Sequence, residues 1–195
     1  KEQPFEMKEC DEFQYMIQTE VTPNRLKSFV VEDTLEDCLA IDDVSKISVT
    51  NDVGQNVTEQ FQISTEGQHI VCNARQEYLQ DEAFTDNQVY TFTLRVHRRP
   101  ETEIDASRYL TEDGYTIFVP NHATMSYERG NGTGGTMDTE TVWVKGIIPP
   151  ELEVSKNTSR YEWMTGDIVD YEVVVTQTKP YVQALNVVVT DEIPA

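Results

Sequence analysis

The sequence predicts an all-β protein, one β-sandwich followed by the first strands of a second. Three observations predict it. Most of the chain reads as short runs of alternating apolar and polar residues, or of β-branched residues, separated by turn-forming clusters. A single stretch, 75–82, has helix character, and a block near the N-terminus returns near the C-terminus. With 195 residues, of which 38% are hydrophobic, there is material for a core in one large or two small domains.

The elements follow in order. Residues 13–21 alternate apolar and polar side chains over nine positions, a strand with one buried face, and Thr22-Pro23-Asn24 ends it with turn chemistry. Residues 26–32 form the next strand, which runs straight into Asp33. The segment 36–43 is acidic and irregular, and strands are expected at 46–50, 57–64 and 68–72. Strict alternation over 89–97 marks the clearest strand, followed by a polar connection over 98–113. Residues 115–127 read as one long strand, with Pro120 implying an edge position or a bulge. Four glycines in 129–135 make a hairpin tip, and 139–145 returns as a strand. Prolines 149 and 150 close a linker at 147–150, so the predicted domains are 1–146 and 151–195, the second with strands at 152–156, 168–178 and 185–190.

Bulk charge narrows the function classes. A formal charge of −20 repels nucleic acid and anionic lipid, and its dispersal among strands favours an acidic surface over a disordered tail. No run approaches the ~18 apolar residues of a membrane span. Lys1-Glu2-Gln3-Pro4 has no signal-peptide core, the mark of a trimmed or a cytosolic chain. Cys10, Cys38 and Cys72 lack zinc-site spacing and leave two arrangements open, one disulfide with a spare thiol or three thiols. His69, His97 and His122 fall on separate segments, so no metal or other cofactor is expected. The pairs Asp42-Asp43 and Glu101/Glu103 read as solvated acidic loops, and no nucleophile motif of a hydrolase occurs.

The repeat carries the chemistry. Phe29-Val30-Val31-Glu32-Asp33-Thr34-Leu35 is matched by Val187-Val188-Val189-Thr190-Asp191-Glu192-Ile193. Superposing Asp33 on Asp191 brings Tyr15 close to Tyr171, and Lys1, fourteen residues before its Tyr, close to Lys156, fifteen before its own. Lys, a Tyr-centred strand and a strand ending in Asp thus recur in order. The first copy adds a late strand, Val119-Pro120-Asn121-His122-Ala123. An Asp that ends an apolar strand sits in a buried layer, where it must find a partner or take up a proton.

This order of Lys, Tyr strand, "VVEDTL" and late "N-x-A" resembles the isopeptide-forming Ig-like domains of Gram-positive pilins and surface adhesins, the collagen-adhesin A-type or pilin D2-type, over roughly 1–145 with a truncated copy over 151–195. The resemblance implies an Ig-like β-sandwich in which Lys1 forms an amide bond with Asn121, assisted by Asp33; Lys8 is the second candidate lysine. It gives Lys156 and Asp191 the same roles in the second copy, with the partner beyond residue 195. Burial would deprotonate the lysine and keep Asp33 neutral, able to polarise the Asn121 carbonyl. The reaction turns over once within its own chain, so no enzyme is implied.

The implied role is a stalk or shaft module of a secreted, cell-wall-anchored pilin or adhesin, with neighbouring domains of the same surface protein as partners. Two other readings stand beside it: an Ig-like adhesin domain that recognises host protein or glycan, and an accessory β-domain of a secreted hydrolase.

Overall fold

The structure is a computed structural model that describes residues 4–8, 10–21, 26–82, 84, 88–160, 162–179 and 181–192. The chain divides into two compact units, 1–105 with 118–146, and 106–117 with 147–195. The sequence places 106–117 inside the first domain. The structure groups them with the C-terminal unit, where the Ile148 N–H donates to the Tyr115 carbonyl at 2.8 Å and the Gln183 N–H to the Gly114 carbonyl at 2.9 Å.

The strands are β1 (Phe5–Met7), β2 (Glu12–Glu20), β3 (Leu26–Thr34), β4 (Leu39–Ala40), β5 (Ile47–Thr50), β6 (Phe61–Glu66), β7 (His69–Ala74), β8 (Val89–Arg98), β9 (Thr116–Asn121), β10 (Ala123–Arg129), β11 (Gly134–Asp138) and β12 (Val142–Ile147). One short helix, α1 (Gln76–Gln80), lies between β7 and β8. A five-stranded sheet has the order β11-β10-β3-β7-β6. In a second sheet β8 pairs with β2 on one side and with β4 and β5 on the other. The third sheet, β1-β12-β9, contains a parallel pair, β1 with β12.

Period-two patterning builds the core from these strands. Phe13, Tyr15, Ile17 and Thr19 of β2 point inward, as do Tyr90, Phe92, Leu94 and Val96 of β8. The five-stranded sheet answers with Phe29 and Phe61, whose ring centroids lie 6.2 and 5.3 Å from that of Phe92 in edge-on contacts. Such aromatic pairs add ~0.5–1.5 kcal/mol each to the burial of their surface. The buried Tyr90 hydroxyl is satisfied: it donates to Gln88 Oε1 at 2.6 Å, and Gln88 Nε2 donates to Asp52 Oδ1 at 3.1 Å.

Several elements differ from the sequence reading. Residues 57–64 are not one strand. Thr58–Gln60 make a 3-10 turn because the Thr58 hydroxyl accepts from the Val49 N–H at 2.9 Å, which fixes the chain before β6 begins. The stretch 115–127 alternates in burial from Ile117 to Met125, as expected of one strand, yet it belongs to two sheets. It breaks at His122, not at Pro120. Pro120 sits within β9, the edge strand of its sheet, a position that tolerates the missing N–H. The strand expected at 139–145 is shifted, since β11 ends at Asp138 and β12 starts at Val142.

In the C-terminal unit β13 (Leu152–Thr158) and β14 (Tyr171–Gln177) form an antiparallel pair, with Leu152 opposite Gln177 and Thr158 opposite Tyr171. Residues 185–190, expected as a strand, form none, and Val188 is 84% exposed. The apolar run of the repeat therefore folds into a core strand in one unit and lies outside any ladder in the other. No helix among the described residues is long and apolar enough to cross a membrane.

If the Phe29–Phe61–Phe92 contact holds the two sheets together, Phe92→Ala should cost about 3–5 kcal/mol in urea unfolding. Met16→Ala, on the opposite face of β2 and 71% exposed, should stay within ~0.5 kcal/mol of the parent.

Candidate functional site

Asp33 belongs to the inward series Phe29, Val31, Asp33, Leu35, all of them buried. It is held on β3, flanked on both sides, with Ala123 of β10 opposite it in one ladder and Ile70 of β7 opposite it in the other. Asn121 occupies the last position of β9, continuing the inward series Ile117 and Val119. Between Asn121 and Ala123 the chain passes from the β1-β12-β9 sheet to the five-stranded sheet. This crossing sets the Asn121 amide against Asp33.

The contact is direct. Asn121 Nδ2 donates to Asp33 Oδ2 at 2.9 Å, with Asp33 and Asn121 only 3% and 5% exposed. The other oxygen of each group, Asp33 Oδ1 and Asn121 Oδ1, is buried without a hydrogen-bond partner among the described residues, and so is the Tyr15 hydroxyl. Burial pushes Asp33 up to about 6, opposed by the hydrogen bond from Asn121 and more weakly by His122 and His69. The Asp33 charge acts in turn on its neighbours. Burial first, and then Asp33, raise the phenol of Tyr15 above its ordinary value and the thiol of Cys72 to about 12.

The contact differs from the one expected of Asp33. The sequence reading puts its neutral form on the Asn121 carbonyl. In the structure it meets the amide nitrogen instead, the atom that would leave as ammonia, and the carbonyl oxygen is left for another donor. His122 is exposed, as its phase opposite to Asn121 requires.

Lys1 lies outside the described residues. Lys8 is exposed beyond the end of β1. In the C-terminal unit the residues singled out by the repeat converge: Lys156 Nζ is 2.8 Å from both Asp191 Oδ1 and Asp191 Oδ2, and 4.4 Å from the centroid of the Tyr171 ring. Lys156 and Tyr171 meet because Lys156 on β13 is opposite Val173, which makes Tyr171 its diagonal neighbour across the ladder. The side chains of Lys156 and Asp191 are 39% and 40% exposed, so the pair is worth ~0–1 kcal/mol. Cys10, Cys38 and Cys72 are free thiols, the last two buried. The sequence reading used Tyr15 and Tyr171 as alignment markers and assigned them no task. Their recurrence at matched positions was the available signal.

No protein-family model and no curated protein matches the sequence. Solved structures do match the fold. BcpA, the major pilin subunit of Bacillus cereus, superposes with a TM-score of 0.56 at 19% identity, over 77% of this chain and 38% of that one. Domains D2 and D3 of the major pilin SpaD from Corynebacterium diphtheriae give 0.53 at 16%, over 82% of this chain and 54% of that one. The N-terminal domain of the Streptococcus gordonii adhesin Sgo0707 gives 0.54 at 14%, over 72% and 30%. The chain has the fold of Gram-positive pilin and adhesin domains. It spans between about a third and a half of those chains.

Within this pilin-type fold Asp33 makes stability depend on pH. The folded chain holds the Asp33 proton more tightly than the unfolded chain, for which the ordinary value of 3.8 applies. Its contribution is complete below pH ~4 and is lost as the pH rises through about 6, an effect of about 3 kcal/mol. In a Lys1→Ala background, urea unfolding at pH 4 and pH 7 should show Asp33→Asn losing about that much less stability over the interval than its parent.

Proposed function

We propose that the chain is part of the stalk or shaft of a Gram-positive pilin or surface adhesin, tied by an autocatalytic isopeptide bond between Lys1 and Asn121. The observation that carries this reading is the buried Asp33–Asn121 pair: a carboxyl group with a raised pKa, in hydrogen-bond contact with the nitrogen of a carboxamide. A purely structural Asn–Asp contact in a β-core would be expected to satisfy more of its buried atoms than this one does.

The chemistry balances. The neutral amine of Lys1 adds to Asn121 Cγ, the amine loses one proton, and the Cγ–Nδ2 bond breaks. Neutral Asp33 protonates the departing nitrogen and is reprotonated by the attacking amine. The products are one amide bond and one ammonia, whose escape makes the step irreversible. A folded sandwich supplies the orientation, which replaces several kcal/mol of barrier.

β1 pairs in parallel with β12, Phe5 opposite Val144, and just before β12 the Thr139 N–H donates to the Ala123 carbonyl at 2.8 Å, two residues from Asn121. Lys156 and Asp191 have the corresponding roles in the second copy, which would need an acceptor strand equivalent to β9. The location that goes with this reading is the bacterial cell surface, and the partners are neighbouring domains of the same protein. A bond between Lys1 and a late strand would carry tension in place of the ladder hydrogen bonds.

Intact-mass spectrometry tests the bond. The purified chain should weigh roughly 17 Da less than its sequence, the mass of one ammonia. Asp33→Ala and Asn121→Ala should fold and show no deficit. An unshifted mass for the parent chain would remove the covalent tie from the proposal.

A further inference from the structure

The cross-linking reaction creates a charge that Asp33 does not meet. When the amine adds to Asn121 Cγ, the negative charge of the tetrahedral intermediate collects on Oδ1, and a hydrogen-bond donor aimed at such an oxygen is worth about 10²–10³ in rate. Asp33 is engaged at the other end of the amide, on Nδ2. Asn121 Oδ1 is buried and accepts no hydrogen bond from the described residues.

Two neutral side-chain donors among the described residues are buried without a partner, the hydroxyls of Tyr15 and Thr19. Both face inward from β2, but Thr19 is four residues further along, opposite Tyr90 of β8. The Tyr15 hydroxyl lies close enough to Asp33 to feel its charge. The C-terminal unit offers an independent observation. There the matched tyrosine, Tyr171, stands with the matched lysine and aspartate, its ring 4.4 Å from Lys156 Nζ. In that unit a tyrosine is thus part of the constellation.

We infer that Tyr15 is a catalytic residue of the cross-linking step, its hydroxyl donating to Asn121 Oδ1 as negative charge builds there. The inference rests on the reading under Proposed function. No proton is transferred from the phenol. Burial holds its pKa above the ordinary value, so the hydroxyl stays a donor throughout, and the hydrogen bond exists at full strength only in the transition state.

The test is a time course of intact mass during cell-free synthesis of the full 195-residue chain. Tyr15→Phe keeps the ring and removes the donor, and it should slow the loss of ammonia by about 100- to 1000-fold. Thr19→Val should react at the parent rate. Stability gives the second readout. In a Lys1→Ala background Tyr15→Phe should be at least as resistant to urea as its parent, because it deletes an unsatisfied buried hydroxyl. Ammonia loss at the parent rate in Tyr15→Phe overturns the inference, and so does a slow reaction accompanied by a clear loss of stability, the mark of a structural role. A parent chain with no mass deficit overturns the underlying reading and this inference with it.

Discussion

The contact between Asp33 and Asn121 is the constraint on which the candidate chemistry depends. A carboxyl group in the inward series of a central strand meets a carboxamide from an edge strand, and the pair is sealed from water by the same apolar layer that holds the sheets together. Burial of this kind penalises the charged form of an acid. The hydrogen bond from Asn121 and two exposed-side histidines work in the other direction and are outweighed, which is why Asp33 titrates near 6 instead of near 4. The buried carboxyl group therefore costs stability at neutral pH.

The fold makes that contact by changing sheets. From Ile117 to Met125 every second side chain is buried, so the inward phase runs unbroken through the switch at His122. What changes is the ladder. Before His122 the chain lies at the edge of a sheet that contains a parallel pair, and after it the chain is paired on both sides, with β3 and β11. Asn121 is the last residue before this change, and Ala123 directly faces Asp33. A one-residue slip of this phase would turn the carboxamide to the outer face.

The C-terminal unit holds the same kinds of residue under different electrostatics. Lys156, Tyr171 and Asp191 assemble, yet the ion pair is about 40% exposed and fully hydrogen-bonded through both carboxylate oxygens. Water screens it. The same residue types thus meet solvent in one copy, while an apolar layer covers Asp33 in the other.

Local pattern by itself determined much of this protein: the all-β class, the inward faces of β2, β3 and β8, and the recurrence of Lys, Tyr and Asp, because side-chain alternation and turn chemistry act over a few residues. Asp33 and Asn121 were legible as a pair through the repeat and the family resemblance. Only the tertiary structure decided which atoms meet, placing Asp33 on the nitrogen of Asn121 and leaving its oxygen, with the Tyr15 hydroxyl, without partners. It also decided that 117–125 serves two sheets, that 106–117 joins the C-terminal unit, and that 185–190 forms no strand. Alternation reports which face of a strand is buried and is silent on which neighbour the strand pairs with, since pairing depends on residues far away in the chain.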